Sequence, residues 1–174
     1  FGTDEANSWL PVTGRDDLKE AVAASIERRG GPRYDGRREI VITSGEGDAM
    51  LDALFCLTDP GDEVVLTDPT YAGMLNRVRL VGAVPRLVPL QVVGGEWRLD
   101  LDALPGALTD RTRVVFLNNA SFPSGWVASA EELEAVASLC RERDLWLLYW
   151  AGFEGVLFDG RPVVHPAGLP GMRD

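Results

Sequence analysis

Short, β-branched runs recur between amphipathic segments from residue 40 to residue 150. The runs are "EIVITSG", "EVVLTDPTY", "VPRLVPL", "TRVVFLNN" and "LWLLYW". Around them lie "GRDDLKEAVAASIERRGG", "GDAMLDALFCLTDPGD", "AGMLNRVRLVGA" and "SAEELEAVASLCRERD". Runs that are apolar throughout suit strands buried on both faces. Strands that alternate with helices have parallel neighbours. The pattern therefore predicts an α/β fold: three layers around a mostly parallel, doubly wound sheet. Buried strands are expected near residues 40–43, 63–67, 84–88, 113–118 and 145–149. "GGEWRLDLDALPGAL" reads as a turn and a short helix, and the Gly/Pro-rich tail "FDGRPVVHPAGLPGMRD" as loop. Residues 1–174 read as one domain.

Side-chain periodicity refines the helices. Leu18, Val22 and Ile26 recur at i+4 in the first, which Gly30 and Gly31 stop. Lys19, the only lysine, falls one residue past Leu18 and reads as solvated surface. In the last helix Ser129 and Glu132 form a capping box, and Leu133, Val136, Ala137 and Cys140 share one face. Cys56 and Cys140 both sit in helical apolar patterns and read as buried free thiols. The formal net charge of −10 argues against nucleic-acid and anionic-membrane partners, which need a basic face. No apolar run is long enough to span a bilayer, the start "FGTDEANSW" is not a signal peptide, and a cytoplasmic location follows. One histidine and no zinc spacing leave no metal site to expect.

Ligands of open α/β sheets bind beyond the carboxyl ends of the strands. Three stretches lie there. "TSGEGDAM" opens a helix after a strand, and its backbone N–H groups at Ser44, Gly45, Glu46 and Gly47 can cradle a phosphate; a plain strand-to-helix turn has the same look. Tyr71, in "DPTYAG", can stack on a planar ligand or simply cover the sheet end. "LNNASFPSGWV" leaves its strand with two asparagines and a rigid Pro/Gly turn.

Taken together, these stretches carry a resemblance. "WLPVTGRDDLKEAVA" is similar to the pattern G-x-x-x-L-R-x-A-(I/V)-A. With "TSGEGDAM", "DPGDEVVLTDPTYAG", "NNASFPSG", "FDGRP" and "LPGM", the chain resembles the large domain of class I/II aminotransferases, the fold-type I pyridoxal-phosphate enzymes. The resemblance implies pyridoxal phosphate as cofactor, a phosphate turn at Gly45, Glu46 and Gly47, ring stacking by Tyr71, and a homodimer. It also exposes three departures. The family's second asparagine of "NPxNPTG" falls on Phe122, its ring-nitrogen aspartate on Trp150, and its phenol-bonding tyrosine on Phe153. A carboxylate at the ring nitrogen keeps the ring protonated as an electron sink, which tryptophan cannot do. Glu154 is the one acid nearby.

The resemblance places the Schiff-base lysine after "LPGM", beyond Asp174, together with the substrate-binding arginine and the small domain. The chain therefore reads as a truncated large domain with no catalytic residue of its own and no covalently held pyridoxal phosphate, where a phosphate or sulfate ion still suits Gly45–Gly47. Two functional readings stand side by side. One is a segment of a working aminotransferase. The other is a truncated, redesigned or repurposed non-enzymatic scaffold or protein-binding module, with Phe122, Trp126, Trp150 and Phe153 packed as an aromatic patch. Finally, the strand ending at Tyr149 and the strand at 40–43 are expected either to close against each other or to pair with a second copy, giving a homodimer with Trp150 and Phe153 at the seam.

Overall fold

A computed structural model describes residues 8–173. In chain order the elements are α1 (Asp16–Arg28), α2 (Glu46–Leu57), β1 (Glu63–Asp68), α3 (Ala72–Leu80), β2 (Val84–Val93), β3 (Glu96–Leu99), α4 (Leu104–Ala107), β4 (Thr112–Asn118), α5 (Ala130–Arg143) and β5 (Trp146–Trp150). Five strands form one sheet in the order β3-β2-β1-β4-β5. All neighbours are parallel except β2 and β3.

Two cores, one on each face, make the three expected layers. Val114 and Phe116 of β4 join Val64 and Leu66 of β1 under α2 and α3, with Leu54, Met74 and Val78. The alternate residues Val115 and Leu117 join Val65 on the other face, under Leu104 of α4 and Leu133, Val136 and Cys140 of α5. The strands are buried on both faces, so each supplies apolar residues to two cores in turn. The first is called here the front face and the second the back face. The tail is irregular, yet Val164, Leu169 and Met172 pack on the back-face core.

The structure corrects several expectations. Residues 40–43 form no strand: Ile42 N–H donates to the Thr13 carbonyl at 3.0 Å, and Val41 is exposed. A strand needs a ladder, and no described strand lies beside this segment. The outer edge of β5 is likewise unpaired among the described residues, so the two segments do not close on each other. The expected turn and short helix of "GGEWRLDLDALPGAL" are present, at Gly94-Gly95 and as α4, but between them Glu96–Leu99 form an unforeseen hairpin strand. Gly94 and Gly95 both take positive φ (62° and 85°), the conformation that a two-residue hairpin turn requires.

α1 buries Lys19 and Ala23, while Leu18 stands half exposed. Lys19 is only 2% exposed. Its ammonium meets the Asp16 carboxylate at 2.9 Å and donates to Thr13 Oγ1 at 3.2 Å, the pairing that a buried charge needs. The loop at Gly36 lies so close over α1 that a Cβ there would stand 2.8 Å from Glu20 Cα. Cys56 is exposed on the outer side of α2, whereas Cys140 is buried as expected, and burial pushes its thiol up to about 12. Trp126 is 2% exposed in the back-face core and does not belong to an aromatic patch with Trp150.

The capping box of α5 is present. Glu132 Oε2 accepts from Ser129 N–H at 2.7 Å while its Oε1 accepts from Leu99 N–H at 2.7 Å, tying the hairpin to the helix start. Among the described residues no helix is long and apolar enough to cross a membrane.

Candidate functional site

Three strand ends converge at the carboxyl edge of the sheet. β4 ends at Asn118, whose ladder partner is Trp150, the last residue of β5. β1 runs out through Asp68 to Tyr71, which opens α3. On the front face the rings form a chain. Phe122 meets Tyr71 edge-on with centroids 6.0 Å apart, Tyr71 meets Trp150 at 5.5 Å, and Trp150 meets Phe153 at 5.6 Å. Tyr71 and Trp150 rest on the front-face core, while Phe122 and Phe153 are 53% and 38% exposed.

Two glycines shape this chain. A Cβ on Gly152 would lie 2.5 Å from the Trp150 indole nitrogen and 2.8 Å from Cε2, and a Cβ on Gly73 would collide with the Tyr71 ring. Both aromatic rings thus fold over bare backbone. Asn118 lies on the same face by strand alternation. It is 3% exposed, and neither its Nδ2 nor its Oδ1 has a hydrogen-bond partner among the described residues; Thr70 Oγ1 also lacks one.

The predicted phosphate turn opens α2. Gly45 is its N-cap with φ 107°, a conformation that only glycine adopts easily. Glu46 is exposed, and Ser44 N–H already donates to Asp48 Oδ2 at 3.1 Å. Arg77 reaches across from α3, donating from Nε to the Gly47 carbonyl at 2.6 Å and from Nη1 to the Gly73 carbonyl at 2.9 Å. The starts of α2 and α3 are therefore laced together, so that Gly47 and Tyr71 belong to one assembly. An arginine in the second turn of a short helix gave no warning of this; only the close packing of Gly47 under the guanidinium reveals it.

The back face of the same edge carries a bonded polar series, although Trp126 Nε1 and His165 Nδ1 find no partner among the described residues. Asn119 Nδ2 donates to the Tyr149 hydroxyl at 2.7 Å, and that hydroxyl donates to Glu154 Oε1 at 2.5 Å. Asn119 Oδ1 accepts from Ala128 N–H at 3.0 Å, pinning the loop that follows β4. Burial first, and then the Glu154 carboxylate, hold the Tyr149 phenol above its ordinary value. The His165 ring lies 5.9 Å from that of Tyr149, and burial lowers its pKa from 6.5. Glu154 is thus committed to the back face and is not available to a ring stacked on Tyr71. The two-residue period of "LLYW" already places Tyr149 and Trp150 on opposite faces; the partners of Tyr149 come from distant segments that no local pattern joins.

Pyridoxal phosphate, the group the resemblance implies, finds only part of a seat here. A glycine turn at a helix start and a tyrosine at the strand end match its two ends. The middle does not fit: the Trp150 indole lies against Tyr71, Glu154 is bonded to Tyr149 on the other face, and Phe122 and Phe153 offer no donor. No chemical step is derived through the group.

Residues 3–159 match the family described as aminotransferase class I and II. The chain is 34% identical to arginine–pyruvate transaminase of Pseudomonas aeruginosa, over 95% of this chain and 42% of that protein. Among solved structures, N-succinyldiaminopimelate aminotransferase from Mycobacterium tuberculosis superposes with a TM-score of 0.92 at 36% identity, covering 95% of this chain and 43% of the other. Aspartate aminotransferase from Rhizobium meliloti gives 0.88 at 30% identity, covering 96% and 42%. The chain thus spans about two-fifths of the length of these relatives, across the sheet and the strand ends described above. On this evidence the chain belongs to the class I and II aminotransferase family.

Proposed function

We propose that this chain is the large-domain segment of an aminotransferase-family protein in which the cofactor's ring seat has become aromatic and amino-group transfer has been lost. The observation that carries this reading is Trp150, packed at a tilt between Tyr71 and Phe153 where the family pattern has an aspartate. Without a carboxylate at that position a pyridine ring has no partner to hold its proton, and its capacity to draw electrons falls. Two further proposed donors to the cofactor, at 122 and 153, are phenylalanines. Glu154 does not compensate, because it accepts from Tyr149 on the other face. Lys19 is not a surrogate nucleophile, because its ammonium is engaged by Asp16 and Thr13.

On this reading Gly45, Glu46, Gly47 and Tyr71 are what remains of a cofactor cradle, able to take a phosphate or sulfate ion at most. The protein works as a homodimer in the cytoplasm, as a scaffold or binding module. Half-exposed Phe122 and Phe153 favour the binding role, since aromatic side chains concentrate binding energy at interfaces. The test is a titration of the purified protein with pyridoxal phosphate, followed by absorbance and by transfer of amino groups to 2-oxoglutarate. No cofactor band and no transfer are expected. Saturable binding with measurable transfer overturns the proposal.

A further inference from the structure

We infer that Trp150 is a built-in occupant of the ring seat, that Gly152 is the residue that lets it sit there, and that the indole is what excludes a flat heteroaromatic ring carrying a phosphate. The inference rests on the reading above and adds which residues close the site. The indole fills its place by contact on three sides. Tyr71 lies 5.5 Å away, Phe153 lies 5.6 Å away, and the bare backbone of Gly152 lies beneath the indole nitrogen, where a Cβ would come to 2.5 Å. The indole leans on Tyr71 at 44° rather than lying parallel to it, so it takes up the space of a ring without stacking, and as part of the chain it needs no binding entropy.

The surroundings were not rebuilt to match an apolar occupant. Asn118 faces the same side as Trp150 from the paired position of the next strand, 97% buried by its 3% exposure, with both amide atoms unpartnered among the described residues. Buried amides without partners are rare and costly. An apolar plug leaves that amide unused, whereas a heteroaromatic ring with polar edge atoms supplies partners. At the far end, the Gly45–Gly47 turn is held in place by Arg77, so the phosphate end of the seat does not depend on the indole.

The experiment compares the parent protein with Trp150→Ala, Trp150→Leu and Gly152→Ala. Binding of pyridoxal phosphate is read by quenching of the remaining tryptophans and by reversible absorbance change. Circular dichroism establishes folding, and Trp150→Leu keeps apolar volume against the core should the alanine variant not fold. Trp150→Ala and Trp150→Leu are expected to bind pyridoxal phosphate at least about tenfold tighter than the parent. Gly152→Ala should act in the same direction, because its methyl group displaces the indole. Phe158→Ala, at a 97% exposed position outside the ring chain, should leave binding unchanged. Inorganic phosphate should gain nothing from the Trp150 substitutions. Folded Trp150 and Gly152 variants that bind no tighter than a non-binding parent overturn the plug alone. A parent that binds as tightly as its variants overturns the proposed function as well. An equal gain for inorganic phosphate overturns the assignment of the seat to a ring.

Discussion

Trp150 and Tyr149 are consecutive in β5, yet the two faces they serve are opposites. On the front, four aromatic rings meet and a buried amide at Asn118 goes unpaired. On the back, Asn119, Tyr149 and Glu154 form a closed hydrogen-bonded series. The asparagines are as informative as the aromatics: Asn118 and Asn119 are neighbours and equally buried, but only one is bonded. Where polar groups keep their partners, the strand end is under structural constraint. Asn118 instead carries a buried amide, beside the ring chain, that the surrounding packing does not use.

The contrast is sharpest in stability. Asn119→Leu should destabilise the protein by about 2–3 kcal/mol, since it strips the bonds to Tyr149 and Ala128 N–H and leaves both groups buried. Asn118→Leu should be neutral or stabilising, by up to about 1 kcal/mol, because its amide has no bond to lose. Urea denaturation of the two variants decides the matter, and effects of the same sign and size would erase the distinction between the faces.

A smaller effect comes from His165, the sole histidine, beside Tyr149 on the back face. Burial lowers its pKa from 6.5 in the folded protein. The unfolded chain therefore takes up a proton first as pH falls, so stability is full above about pH 6.5 and declines below it. His165→Phe should flatten this part of the stability profile before the carboxylates begin to titrate, which chemical denaturation at a series of pH values will show. The last test needs no change in stability. A thiol reagent should modify Cys56 in the native protein and spare Cys140, whose thiol is buried and pushed up to about 12. Peptide mapping of the labelled protein identifies the site.

Much of this architecture is legible in the sequence because it follows from local rules. The β-branched run in "EVVLTD" reads correctly as a buried strand, although the similar run at 40–43 does not form one, and Ser129 with Glu132 announces the start of α5 before any contact is known. The hairpin at Gly94-Gly95 was also legible: paired glycines ahead of "EWRL" ask for a tight return, and the strand they lead into precedes the short helix that the stretch does contain. Other features lie out of local reach. Leu18 looks like the buried stripe of α1, but the chain at Gly36 crosses the helix over Lys19 and Glu20, and that crossing decides which side is covered. The comparison pattern did hold a clue, since Lys19 stands where G-x-x-x-L-R-x-A has its arginine, a position where a paired cation is expected. For the site, substitution at 122, 150 and 153 could be read directly. The direction in which Glu154 turns could not, because it depends on a tyrosine five residues earlier and an asparagine in the loop that follows β4.

Glu132 extends the lesson to how this fold can be altered. One carboxylate gives one oxygen to the beginning of α5 and the other to the return strand of the hairpin. The two elements look like separable modules in a topology diagram, but they share a single molecular joint. A designer who lengthens the hairpin, or shifts the helix by one residue, spends the same two oxygens on both changes. Grafting either element onto another scaffold therefore means carrying the other along, or rebuilding from a different side chain the contact that holds Leu99 in place.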